Sequence, residues 1–185
     1  MIPSLKIHAQ WTLFLDRDGV INTRIVDGYV MDKQDFILID GVLEAMKIFR
    51  PLFQRIIIVT NQQCVGKELC SWDTISEVHR YMLSLFADAG TPIDAVCCCP
   101  HKASENCDCR KPKIGLACQA KTLFPEIDFQ QSIMVGDMPT DLLFGRNCGM
   151  KTVFVGDKSL ILHDEVRQNA DLIFPSLYHF AKSLL

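Results

Sequence analysis

Two carboxylates one residue apart, Asp16 and Asp18, follow an apolar run and precede a glycine in Leu13-Phe14-Leu15-Asp16-Arg17-Asp18-Gly19-Val20. A buried strand that ends in Asp-x-Asp-Gly carries charge to the carboxyl edge of a sheet, where open α/β sheets keep their ligands. Side chains alternate along a strand, so the two carboxylates should point the same way, and Gly19 lets the backbone turn sharply. Such close carboxylates repel unless a proton or a cation resolves them. A divalent metal together with one carboxylate acting as acid and base would do so. Taken alone, the motif reads equally well as a strand followed by an Asx turn with solvated carboxylates.

Three further groups change that balance. A second apolar run ends in Val59-Thr60-Asn61, a later one ends in Val135-Gly136-Asp137 with Asp141 beyond it, and Arg110-Lys111-Pro112-Lys113 supplies positive charge between them. Converging at one sheet edge, these residues would make a phosphoryl-transfer site. Asp16 can attack phosphorus to give an aspartyl-phosphate. Asp18 can protonate the leaving oxygen and then deprotonate the attacking water. Thr60 and nearby backbone N–H groups can hold phosphoryl oxygens, and Lys111 can place its charge on the equatorial oxygens. Asp137 with Asp16 would bind Mg²⁺. A phosphoryl-accepting receiver module also uses acidic residues, Thr and Lys, but needs no general acid at Asp18.

The elements that must position these residues alternate. Strands are expected at Trp11–Leu15, Arg55–Val59, Ala95–Cys98, Ser132–Val135, Thr152–Val155 and Leu172–Phe174. Helices are expected at Gly41–Phe49, Ser71–Ala89, Gly115–Leu123, Asp141–Cys148 and Leu177–Leu184. Ser71 is suited to cap the long helix, whose apolar face is Ile75, Val78, Met82, Leu85, Phe86 and Ala89. Continuous apolar strands alternating with helices imply an α/β fold, a mainly parallel sheet with helices on both faces. With 185 residues, no repeat and no linker, residues 1–185 read as a single domain, with Met1–Gln10 as a loose arm. Too few residues separate Asp18 from Thr60 for a large cap domain. A net charge of −3 gives no support to a nucleic-acid or anionic-membrane partner. Without an apolar h-region in Met1–Gln10 or any membrane-length stretch, a cytoplasmic monomer is the expectation.

Nine cysteines without a signal peptide argue against a disulfide scaffold. Five of them cluster between Cys97 and Cys109, where Cys99, His101, Cys107 and Cys109 form C-x-H-x₅-C-x-C. Three thiolates and an imidazole make a closed tetrahedral site suited to structural Zn²⁺. Zinc would stiffen the 99–109 loop immediately before Arg110 and Lys111, while Cys97 and Cys98 lie on the strand side, toward the core.

Asp16-Arg17-Asp18-Gly19, Val59-Thr60-Asn61, Lys111 and Gly136-Asp137 with Asp141 together resemble the haloacid dehalogenase superfamily of phosphohydrolases. The resemblance implies a Rossmann-like three-layer sandwich, Asp16 as nucleophile and Asp18 as general acid/base. It also implies Mg²⁺ held by Asp16, the carbonyl of Asp18, and Asp137, with Asp141 behind them. The cysteine loop followed by Arg110-Lys111-Pro112 is similar to a zinc-containing subgroup that holds D-glycero-D-manno-heptose 1,7-bisphosphate phosphatases and histidinol-phosphatases. Asp27-Gly28-Tyr29-Val30 and the stretch 36–42 look like the heptose enzymes, whereas the five residues between His101 and Cys107 look like the shorter histidinol-phosphatase loop. A small phosphorylated metabolite, a sugar bisphosphate, is the implied substrate. Asn61 and Arg110 would bind it, Arg110 through a second anionic group, and Asp27, Gly28 and Tyr29 would contact the sugar. Two residues depart from the pattern: Val20 stands where Thr is frequent, and Cys64 stands where a small residue is usual, which would narrow the pocket or make it sensitive to oxidation.

Overall fold

The structure, a computed structural model, describes residues 7–156 and 164–185. The first six residues of the expected N-terminal arm lie outside them. Six strands form one sheet: β1 (Thr12–Leu15), β2 (Arg55–Asn61), β3 (Ala95–Cys99), β4 (Ser132–Gly136), β5 (Lys151–Val155) and β6 (Leu172–Phe174). Their spatial order is β3-β2-β1-β4-β5-β6, and every pairing is parallel. The chain winds outward from β1 in both directions. The order therefore reverses between β1 and β4, and the crevice at their carboxyl ends is where such sheets place ligands.

Alternation along each strand sorts its side chains between two layers. Leu13, Leu15, Ile56, Ile58, Ile133 and Val135 face a core made with α1 (Val42–Phe49), α2 (Trp72–Asp88) and α6 (Leu177–Lys182). Phe14, Ile57, Val59 and Met134 face the other way, onto α3 (Gly115–Leu123) and α4 (Pro139–Cys148). A smaller cluster of Leu142, Phe154 and Val166 seats α5 (Asp164–Asn169). This is the expected three-layer sandwich. All four residues of β1 are buried, and burying Leu13, Phe14 and Leu15 contributes roughly 1.5–3 kcal/mol each. The central strand is thus a rigid base for the charged residues that follow it. Val20 is part of this core rather than of the site.

Several elements are longer than the sequence suggests, because hydrogen bonding continues into polar residues. β2 runs through Thr60 to Asn61, and β3 through Cys99. Ser71 does cap α2, its Oγ accepting from the Thr74 N–H. The polar, six-residue α5 has no counterpart among the expected elements. Between β1 and β2 lie only a loop and α1. The loop's base is pinned where the Thr23 N–H donates to the Ile37 carbonyl and the Ile39 N–H to that of Ile21. Residues 24–36 therefore form a small flap over the sheet edge rather than a cap.

Candidate active site

Asp16 is the first residue past β1, and its N–H donates to the Val135 carbonyl of β4 at 3.0 Å. Its buried carboxylate meets Lys111, whose Nζ lies 2.7 Å from Asp16 Oδ1 and 2.6 Å from Asp141 Oδ1. Lys111 comes from the loop after β3, and Asn61 at the end of β2 fixes it there. The Asn61 Oδ1 accepts from the Lys111 N–H at 3.1 Å, while its Nδ2 donates to the Lys111 carbonyl at 3.2 Å. Asn61, expected to bind substrate, does line the cleft, but its amide is spent on the backbone of the lysine.

Asp137 and Asp141 complete the acidic group. Asp16, Asp137 and Asp141 each present a carboxylate oxygen within 4.8 Å of the others'. Both Asp141 oxygens are already engaged, one by Lys111 and the other by the Met138 N–H at 3.1 Å, where Asp141 also closes the first turn of α4. That agrees with a supporting place for Asp141. Two glycines make the crowding possible. A Cβ on Gly136 would lie 2.1 Å from the Asp141 Cβ. One on Gly19, whose φ is +92°, would lie 2.0 Å from Asp137 Oδ2.

Burial and the facing Asp141 push the Asp16 carboxyl up to about 7 against the pull of Lys111. Burial likewise raises Asp137 to about 6, with Arg24 opposing it. A cation among these oxygens would favour their ionised forms. The arrangement fits one: the Arg24 guanidinium already collects the Asp18 carbonyl and Asp137, with Asp16 at longer range.

Asp18 is held separately. Arg17 donates to both of its oxygens at 2.9 Å, Asn22 to one at 2.9 Å and Gln62 to the other at 2.7 Å. Burial would raise this carboxyl, but Arg17 and the other donors outweigh it and hold it below the ordinary carboxylate range. β1 ends at Leu15, so strand alternation does not set the two carboxylates. Both border the cleft, each with a cation of its own. Gln62 also donates to the buried Thr60 Oγ1 at 2.9 Å, which ties Thr60 to Asp18.

The cleft encloses about 300 Å³ and is lined by Asp16, Asp18, Arg24, Tyr29, Thr60 and Lys111, among others. Gly28, Asn61 and Arg110 also line it, but Asp27 and Cys64 do not. Asp27 is exposed, at the tip of the flap with φ 54°, and Cys64 is fully buried behind Gln62 and does not narrow the opening. The Tyr29 hydroxyl accepts from Gln63 Nε2 at 3.0 Å and Lys67 Nζ at 2.9 Å, which anchors the flap to the segment after β2. Arg110 donates to the His101 carbonyl at 3.3 Å, so its position depends on the cysteine loop.

In that loop the four expected donors converge. Sulfur–sulfur separations among Cys99, Cys107 and Cys109 are 3.1–3.5 Å, and His101 Nδ1 lies 3.2 Å from Cys109 and 3.7 Å from Cys99. A tetrahedron with metal–sulfur bonds of about 2.3 Å has edges of roughly 3.7 Å, so the donors need to open only slightly to hold a soft divalent ion. Cys97 is fully buried and Cys98 half-buried, and neither joins the four.

Arg17, Asn22, Arg24 and Gln62 were not expected here. Arg17 had a signal, a basic residue enclosed by two aspartates. Gln62 stood beside Thr60 and Asn61 at a strand end, and Asn22 and Arg24 lay in the 22–34 loop expected to shape the entrance. Nothing in the sequence gave any of the three a role, since a polar residue after a strand is most often a turn.

Comparison with known proteins is consistent with this geometry. A family model described as HAD-hydrolase-like matches residues 108–179. A D-glycero-alpha-D-manno-heptose-1,7-bisphosphate 7-phosphatase of Mycobacterium tuberculosis is 41% identical over 75% of this chain and 73% of its own. A D-glycero-beta-D-manno-heptose-1,7-bisphosphate 7-phosphatase of Pasteurella multocida is 32% identical over 92% and 94%. Among solved structures, a D,D-heptose 1,7-bisphosphate phosphatase from B. bronchiseptica, complexed with magnesium and phosphate, superposes with a TM-score of 0.84. It is 26% identical, over 95% of this chain and 98% of that one.

Proposed function

We propose, given that the chain belongs to the haloacid dehalogenase-like hydrolase family of phosphatases, that it removes the 7-phosphate from a D-glycero-D-manno-heptose 1,7-bisphosphate. The observation that carries the reading is the buried Lys111 bridging Asp16 and Asp141 at the sheet edge. It fixes a carboxylate nucleophile beside a cation that can neutralise a phosphoryl group, with Thr60 and Asp18 lining the same cleft. Relatives named for the heptose substrate support the choice of ester.

A carboxylate oxygen of Asp16 attacks phosphorus while the bond to the sugar oxygen breaks, and Asp18 in its protonated form, the minor one in this setting, gives that oxygen its proton. Water then attacks the aspartyl-phosphate, Asp18 takes the water's proton, and phosphate leaves with Asp16 regenerated. The hydrogen bonds that keep Asp18 ionised suit this second half. Asp16, the Asp18 carbonyl and Asp137 would hold Mg²⁺, which offsets the repulsion between phosphate and carboxylate. Cys99, His101, Cys107 and Cys109 would hold Zn²⁺, which orders the loop that carries Arg110 and Lys111. Arg110 takes the remote phosphate, and binding energy there orients the reacting one. Gly28 and Tyr29 face the sugar.

The site is complete within one chain, which supports a single-domain monomer. Nine cysteines with no disulfide among them suit a reducing compartment, which supports the cytoplasm. Among the described residues, no helix is long and apolar enough to cross a membrane.

Both anomers of the heptose bisphosphate, histidinol phosphate and p-nitrophenyl phosphate, assayed in parallel, test the reading. One phosphate released per bisphosphate at the highest kcat/KM is expected. Arg110→Ala should cost more on the bisphosphate than on p-nitrophenyl phosphate. A higher kcat/KM on histidinol phosphate would overturn the substrate assignment.

A further inference from the structure

Arg24 occupies the place where a divalent cation would be held. Its Nη2 lies 2.7 Å from the Asp18 carbonyl oxygen and 2.7 Å from Asp137 Oδ1, and its Nε lies 3.1 Å from Asp137 Oδ2. The same Nη2 is 3.8 Å from Asp16 Oδ2. These are the three oxygen groups assigned above to Mg²⁺, and a guanidinium and a metal ion cannot share them. We propose that Arg24 is an internal competitor for the metal, a positioning residue whose guanidinium holds the three oxygen groups together in the metal-free protein and swings away when Mg²⁺ enters. This rests on the Mg²⁺ reading of the site.

The electrostatics call for such a cation. Asp16, Asp137 and Asp141 crowd together, and Lys111 contacts only Asp16 and Asp141. Asp137 has no other cation partner among the ion pairs of the described residues than Arg24. Without Arg24 or a metal, its carboxylate would face two like charges with no cation in contact. Geometry permits the exchange. The Arg24 side chain is 40% exposed, so one side of it meets water. The backbone just before it is pinned by the Thr23–Ile37 hydrogen bond, so release needs rotation of the side chain and no movement of the strand edge. The displaced guanidinium stays in the cleft it already lines with Arg110 and Lys111.

Competition of this kind weakens the apparent metal affinity by the fraction of sites that are free of the guanidinium. A site closed nine-tenths of the time binds about tenfold more weakly. The same contacts spare the empty site from charge repulsion. Affinity should therefore rise, and metal-free stability fall, when Arg24 is removed.

The test uses the whole zinc-loaded protein, dialysed free of Mg²⁺ and titrated with MgCl₂ by calorimetry, with Mn²⁺ binding followed by electron paramagnetic resonance. Arg24→Met should bind either ion about tenfold more tightly than wild type. Arg24→Lys should fall between them, because an ammonium is a point charge that cannot bridge the set as a planar fork does. Metal-free Arg24→Met should melt below metal-free wild type, and saturating Mg²⁺ should erase the difference. Equal or weaker metal binding in Arg24→Met would overturn the competition while leaving the metal site standing. If neither protein binds Mg²⁺ or Mn²⁺, the metal reading falls and this inference with it.

Discussion

Arg17 and Asp18 are adjacent in sequence and joined through their side chains, Arg17 Nη2 lying 2.9 Å from both Asp18 carboxylate oxygens. Arg17 is itself fully buried, and its Nη1 reaches His79 Nε2 of α2 at 3.1 Å. A buried chain His79–Arg17–Asp18 thus runs from the core to the cleft wall. It separates the roles of the two motif aspartates, since Asp16 answers to Lys111 and Asp18 to Arg17.

Asp18→Asn should remove the proton-transfer group, at a cost on the order of 10²–10⁴-fold in kcat. It should also lower stability, because the buried Arg17 loses its carboxylate partner and the new amide sets a donor among donors. Because the water-activating base is then missing, a phosphorylated Asp16 should accumulate. Intact-protein mass spectrometry after mixing with substrate would show the added phosphoryl group. Phosphate release at the wild-type rate would refute the assignment.

Asp16→Asn should abolish turnover, by at least ~10⁴-fold, as removal of a covalent nucleophile does. It should not unfold the protein, because it also relieves the repulsion of Asp16 by Asp137 and Asp141. Lys111→Met should behave differently. It leaves the buried carboxylates Asp16 and Asp141 without their shared cation, which should cost about 3–5 kcal/mol of stability. Urea unfolding of the two variants side by side checks the contrast.

Elemental analysis should find about one zinc per chain, from the single four-donor cluster. Removing it should expose 99–113 to hydrogen exchange and reduce activity by displacing Arg110 and Lys111. Full activity in a zinc-free protein with an unchanged exchange pattern would show that this loop orders itself without metal.

His79 gives a pH signature. Burial, and then the neighbouring Arg17 charge, push its pKa from 6.5 down to about 3. Below about pH 6.5 the unfolded chain takes up a proton at this residue that the folded chain refuses. The stability it contributes is therefore complete above that pH and is lost as pH falls toward 3, by roughly 1.4 kcal/mol per pH unit. His79→Gln keeps an acceptor for Arg17 but cannot titrate. Its stability should fall less steeply than wild type between about pH 6 and 4, by about one proton. Parallel denaturant midpoints at several pH values measure the difference, and superimposable slopes would remove His79 from the account.

Local pattern determined much of this protein from sequence alone. Apolar runs, their spacing and the turn residues between them report backbone conformation and burial. They placed six strands, the helices of both layers, and the strand-end residues Asp16, Thr60 and Asp137 at one edge. The donors Cys99, His101, Cys107 and Cys109 were legible for the same reason, being close in sequence and of ligating type. What the tertiary structure decided is which side chains meet across loops. Lys111 reaches Asp16 over 95 positions of sequence, Asn61 turns out to clamp the Lys111 backbone, and Arg24 lands on the oxygens proposed to hold a metal, while Asp27 in the same flap stays outside the cleft. Those meetings depend on the path of irregular segments. Such paths are fixed by hydrogen bonds between residues distant in sequence rather than by any periodic signal, and a polar residue in a loop looks the same whether it will face water or a carboxylate.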